Sequence, residues 1–266
     1  MALKYCLQPC ESRVAPCHTA PVDSEPGRVA PAPRLRAVVF DFYGTLACWS
    51  APGRTGYMGV FERFGYTLAP DVLDAYFGRY DGIEHVEHST DAATYEAWVR
   101  HRLGDLTTAC GVPEAEAQAV IEAMRAADQG EMVAYVEAAP TLAALRAGGL
   151  SIGVCSNWGW EIEEFLEQIG LLALVDVAVT SARAGARKPH RRIYDITLAA
   201  LGVEPAQVLF VGDSWSPDVL GPTAAGMAAA HVWRPEERAG QTPPTLDPGH
   251  LRISRLDELL EVIRLS

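Results

Sequence analysis

The strongest constraint on this chain is a rhythm. From about residue 138 onward, the short apolar runs LSIGVCS, VDVAVTS, QVLFVGD and MAAAHVW alternate with stretches of helical period such as PTLAALRAGG, WEIEEFLEQIG and RRIYDITLAALG. Runs that stay apolar instead of alternating fit strands buried on both faces, and a helix between two of them returns the chain parallel to its start. A fifth run, LRAVVFD, comes much earlier and ends in Asp41. The pattern predicts an α/β fold, a Rossmann-like parallel sheet covered by helices. With 266 residues, 49% of them apolar, the chain is long enough to bury that core and carry an insertion.

Residues 51–135 break the rhythm. GYMGVFERFG, PDVLDAYFGRY, AATYEAWVRHRL and PEAEAQAVIEAMRAA read as helices, with no convincing strand among them. The expected organisation is therefore a core of residues 35–50 and 136–266, with a helical insertion at 51–135 leaving from the end of the first strand. Ligands of open parallel sheets bind beyond the carboxyl ends of the strands, so such an insertion would sit over the site. Residues 1–34, rich in Pro, Ala and Cys, read as an irregular tail. Cys6, Cys10, Cys17 and His18 lie within it at a spacing that matches no zinc pattern well, and no site is assigned to them.

Four polar clusters fall at or just beyond proposed strand ends: Asp41 to Thr45, Ser156 with Asn157, Lys188 with Pro189, and Asp213 with Asp218. One such cluster is ordinarily a helix cap or a turn. Four along one parallel sheet converge on a single crevice. In this order VVFDFYGTL, VCSNW, SARAGARKPHRRIY and VLFVGDSWSPDVLGPTAAGM resemble the four motifs of the haloacid dehalogenase superfamily, with a helical cap where one branch of that family carries it.

The resemblance implies a role for each position. Asp41 is the expected nucleophile, since a carboxylate attacks phosphorus or carbon without a separate base and leaves an ester that water hydrolyses. Ser156 or its neighbouring amides, with Asn157 beside it and Thr45 in support, would donate hydrogen bonds to the transferring group. Lys188 would offset the charge shared by nucleophile and substrate. Mg²⁺ would be held by Asp41, Asp213 and the backbone carbonyl of Tyr43, with Asp218 as a further ligand or just behind.

Tyr43 departs from the pattern, because most phosphatases of the family carry there a second Asp that protonates the leaving oxygen. Three readings follow. A Mg²⁺-dependent phosphatase of small phosphorylated metabolites would act on good leaving groups such as acyl phosphates, enol phosphates or diphosphates, or would borrow an acid from Glu84, His85 or His88. A 2-haloacid dehalogenase would need no acid and no metal, and Tyr43 together with Lys188 and Tyr194 agrees with it; the carboxylates Asp213 and Asp218 do not. A binding protein that has lost catalysis is the third, and the complete set Asp41, Lys188, Asp213 and Asp218 speaks against it. The phosphatase is the expected function. Trp158, Trp160, Tyr57, Arg54 and Arg63 are candidates for lining the pocket, and His190 with Arg191 adds positive charge after Lys188.

A net charge of −12 argues against nucleic acid and anionic membrane as partners, but not against a small anionic substrate held by a local field. Six scattered cysteines read as reduced thiols. No stretch reads as an export signal or a membrane span. A cytoplasmic monomer or homodimer is expected.

Overall fold

The computed structural model describes residues 34–50, 53–127, 131–238, 240–247 and 249–264. The expectations for the tail and for its Cys/His cluster lie outside them. At the centre is β1 (Ala37–Phe40), paired in parallel with β4 (Ser151–Ser156) on one side and β6 (Val208–Gly212) on the other. Beyond β4 lies β5 (Val177–Thr180); beyond β6 lie β7 (Ala228–Val232) and β8 (Leu251–Ile253). Every pairing in this sheet of six is parallel, the α/β Rossmann-like arrangement expected from the alternation. All four residues of β1 are fully buried, because helices cover both faces.

Period-two geometry divides the core. Val38 and Phe40 pack with Leu142, Leu145 and Leu166 from α5 (Ala138–Ala147) and α6 (Ile162–Gln168). Val39 points the other way, against Ile193, Tyr194 and Leu198 of α8 (Arg191–Leu201). Each large side chain so buried contributes roughly 1.5–3 kcal/mol. The chain runs outward from β1 through β4 to β5, then returns to β6 on the far side of β1. The order of strands therefore reverses between β1 and β6, the place where such sheets open a crevice.

After β1 the chain makes β2 (Ala47–Trp49), then four α-helices, then β3 (Met132–Ala134), which pairs antiparallel with β2, before α5 leads into β4. The absence of a strand from residues 51–135 is corrected here: β3 falls inside that stretch, and three residues are too few to show a period. The helices are α1 (Gly53–Arg63), α2 (Pro70–Arg79), α3 (Ala92–Ala109) and α4 (Glu114–Arg125). Local chemistry starts three of them: Pro70 opens α2, the Asp91 carboxylate accepts from the Thr94 amide at 2.8 Å to begin α3, and Glu114 and Glu116 complement the dipole of α4. Phe61, Leu73, Leu106, Val120 and Met124 form an apolar centre of their own. Among the described residues no helix is long and apolar enough to cross a membrane.

Candidate active site

Strand register sets the geometry. Phe40 lies level with Val154 and Val211, so Asp41, Ser156 and Asp213 emerge together at one edge of the sheet. The Asp41 amide donates to the carbonyl of Val211 at 2.9 Å, holding the first residue past β1 against β6. The chain then turns tightly: the amides of Leu46 and Ala47 both donate to the Phe42 carbonyl, and Gly44 has a φ of +81° that side chains rarely permit. A Cβ on Gly44 would also stand 2.8 Å from Cγ of Asp213, so this turn lies directly on the second carboxylate.

Asp213 and Asp218 are set by one wide π-helical turn, Trp215–Leu220, of a kind that recurs at functional sites. It folds Asp218 back beneath the end of β6, where its Oδ2 accepts from the Ser214 amide at 2.9 Å. The fit is so close that a Cβ on Gly212 would come within 2.3 Å of Asp218 Cγ. Oxygens of Asp41, Asp213 and Asp218 lie within 4.8 Å of one another.

Lys188 does not sit at a strand end. It follows β5 by eight residues, beyond a short helix, α7 (Ser181–Ala184), and reaches the centre by its length. Its Nζ donates to Asp41 at 2.7 Å and to Asp218 at 2.6 Å, with the residue 1% exposed. Burial alone would lower its pKa, but the two carboxylates outweigh burial and hold it well above the usual range, so the ammonium stays charged. Asn157 clamps the same residue by its backbone, accepting from the Lys188 amide at 2.7 Å and donating to its carbonyl at 3.1 Å. Ser156 is buried beside it, and the Thr45 hydroxyl is buried with no partner among the described residues.

Sequence reasoning missed Arg238, whose guanidinium donates to Asp213 Oδ2 at 2.6 Å and stacks on Trp233. His231 was missed as well. Arg252 donates to its Nδ1, so Nε2–H faces the Asp213 carbonyl at 3.0 Å, and burial pulls its pKa down to about 4. Three carboxylates thus meet two cations, Lys188 and Arg238. Burial first, then the neighbouring carboxylates, pushes Asp213 and Asp218 up. A surplus of hard, crowded oxygen donors suits a small divalent cation such as Mg²⁺.

A cavity of about 710 Å³ lies between this edge and the helical insertion. Tyr43, 42% exposed, lines it and stacks on Trp158. Tyr57 and Trp160 line it too, whereas Arg63 is exposed on the surface and the Arg54 side chain lies outside the described residues. The proposed acids of the insertion are elsewhere. Glu84 pairs with Arg192, His88 with Glu87, and His85 is buried flat against Trp98 with Nδ1 on Ser89. Arg191 pairs with Asp195, and His190 accepts the Arg192 amide, so neither adds charge to the cavity.

A doubly wound parallel sheet with a carboxylate and lysine centre at its switch point places the protein among the α/β enzymes of that architecture. The chain belongs to the haloacid dehalogenase-like hydrolase family, whose model matches residues 35–226. It is 40% identical to the haloacid dehalogenase-like hydrolase domain-containing protein 3 of Bos taurus, over 36% of this chain and 38% of that one. It is 27% identical to the ribulose-1,5-bisphosphate 5-phosphatase of Halopiger xanaduensis, over 77% of this chain and 87% of that one. The crystal structure of a HAD phosphatase from Thermococcus onnurineus shares the fold, with a TM-score of 0.57 and 24% identity, covering 86% of this chain and 98% of that one. Against three of the curated relatives, the chain spans only 38 to 56% of their length.

Proposed function

We propose that the protein is a Mg²⁺-dependent phosphatase of small phosphate monoesters, working through an aspartyl-phosphate on Asp41. The observation that carries this reading is the convergence of Asp41, Asp213 and Asp218, with Lys188 bonded to two of them. Likeness to proteins named as phosphatases supports it. Asp41, Asp213 and Asp218, with the Tyr43 carbonyl, would hold Mg²⁺, which when bound supplies positive charge toward the phosphoryl oxygens.

The chain's own groups do the rest. An Asp41 oxygen forms the bond to phosphorus as the bond to the leaving oxygen breaks; water then attacks phosphorus and Asp41 is restored. The Lys188 ammonium, fixed through Asn157, offsets the charge that otherwise repels an anionic ester from Asp41. The buried hydroxyls of Ser156 and Thr45 are donors for the transferring group. The helical insertion acts as the cap that excludes water. With Tyr43 in place of an acid, and with His85 sealed in the insertion, the substrate is one whose leaving group departs with little protonation.

Tyr43 also favours a second reading, displacement of halide from a 2-haloacid. Tyr194, which agrees with that reading in the sequence, has a fully buried ring, and its hydroxyl donates to the Pro217 carbonyl at 2.5 Å. The deciding experiment measures phosphate release from p-nitrophenyl phosphate and acetyl phosphate, and chloride release from 2-chloropropionate, each with Mg²⁺ and with EDTA. Phosphate release that needs Mg²⁺ and vanishes in Asp41→Asn is the expected result. Chloride release indifferent to EDTA would replace the phosphatase by the dehalogenase.

A further inference from the structure

The cavity wall holds three arginines that the chemistry at Asp41 does not use; Arg125 is paired with Glu96, and the other two are Arg187 and Arg102. Arg187 comes from the core, directly before Lys188, and Arg102 from α3 of the insertion. Both are more than nine-tenths buried, at 9% and 6% exposure, and the Nε of each has no hydrogen-bond partner among the described residues. Arg102 lies over the rings of Tyr80 and Trp98, 4.0 and 4.6 Å from their centroids, and no carboxylate pairs with it among the described residues. Arg187 reaches one carboxylate, Asp81 at 3.6 Å, and Asp81 also takes a contact from Asn157. The two guanidinium groups repel one another: burial, and then the charge of Arg102, lowers the Arg187 pKa.

The other charged groups of the cavity do not relieve this. Glu96 is taken by Arg100 and Arg125, and Glu161 is exposed to solvent. Elsewhere the wall is mostly aromatic, with Tyr43, Tyr57, Trp158 and Trp160 among its rings. A buried cation is costly unless it is paired, and these two have one carboxylate between them, Asp81 on Arg187, so the pair is short of an anion. Guanidinium forks bind carboxylate and phosphate two hydrogen bonds at a time.

We infer that Arg102 and Arg187 form a subsite for a second anionic group of the substrate, a carboxylate or a phosphate joined to the reacting phosphate through a flat or apolar body. The inference rests on the phosphatase reading and deepens it. Because one arginine belongs to the insertion and the other to the core, the second anion also draws the two together.

The test uses the full chain with Mg²⁺ and three esters: phenyl phosphate, 4-carboxyphenyl phosphate and hydroquinone bisphosphate. Rates give kcat/KM, and the thermal protection of the Asp41→Asn protein by each compound gives binding without turnover. The two-anion esters should exceed phenyl phosphate about ten- to a hundredfold in kcat/KM and protect more strongly. Arg102→Met and Arg187→Met should each bring that ratio toward one, and the better of the two esters identifies the anion. The subsite is overturned if phenyl phosphate is hydrolysed equally well, or if each variant lowers all three rates in proportion. Arg-dependent protection without hydrolysis of any ester, in a protein that also releases no phosphate from acetyl phosphate, would uphold the subsite and end the phosphatase reading.

Discussion

Replacing Lys188 by Met tests the electrostatic heart of the site apart from catalysis. At an effective dielectric of about 20, the contacts of 2.7 and 2.6 Å to Asp41 and Asp218 are each worth about 6 kcal/mol in Coulomb energy. Desolvation of three buried ions cancels much of that sum. Losing the one partner shared by two buried carboxylates leaves a net cost of about 3–5 kcal/mol. For a folded unit of this size the melting temperature should fall by roughly 6–20 °C. The assay is thermal unfolding of both proteins in EDTA and in Mg²⁺. Methionine fills most of the space, so the loss reports charge and not a cavity, and added Mg²⁺ should recover part of it. A variant melting within about 2 °C of the wild type in EDTA would show that the ammonium does not balance these carboxylates.

Other predictions follow from single contacts. Gly212→Ala places a methyl against Asp218 and should cost about 1–3 kcal/mol in urea unfolding, with weaker Mg²⁺ binding by calorimetry. Asn157→Ala frees the backbone of Lys188, and steady-state kinetics should show kcat falling about ten- to a hundredfold with KM little changed. Burial, and then the charge of Arg187, holds the His85 pKa down at about 4 against 6.5 for a free imidazole. The unfolded chain therefore binds the proton first on acidification. The stability linked to His85 is complete above pH 6.5 and is lost as pH falls toward 4. In His85→Phe, which keeps the stacking on Trp98, the melting temperature should fall less over that window.

The positions of Asp41, Ser156 and Asp213 were legible because each closes an apolar run, where a buried strand meets solvent or a site; Asp218, inside the turn after β6, was legible only through its motif. Lys188 was legible only through its motif, since a helix and a loop separate it from β5. The pair β2 and β3 was hidden, because a three-residue strand shows no alternation; β8 is equally short. Arg238 was hidden for a different reason: it meets Asp213 across 25 residues from a loop without period. Arg102 left a signal that went unread. Tyr95, Trp98, Val99, Leu103 and Leu106 trace the inward stripe of α3, and Arg102 lies on that stripe and not on the polar face. A cation on an apolar stripe is a statement about the inside of a protein.

The insertion touches the core through more than side chains. The amide of Arg187 donates to the Ile83 carbonyl, that of Gly82 to the Lys188 carbonyl, and that of His85 to the Gly185 carbonyl. A short two-stranded ribbon thus ties residues 82–85 to the loop that bears Lys188. An insertion between two strands of a sheet is easily pictured as an exchangeable module on a constant base. Here the graft junction runs through the ribbon: a foreign insertion would arrive without the partner strand that steadies the lysine. A working chimera of this protein would have to carry residues 185–188 along with the helices above them.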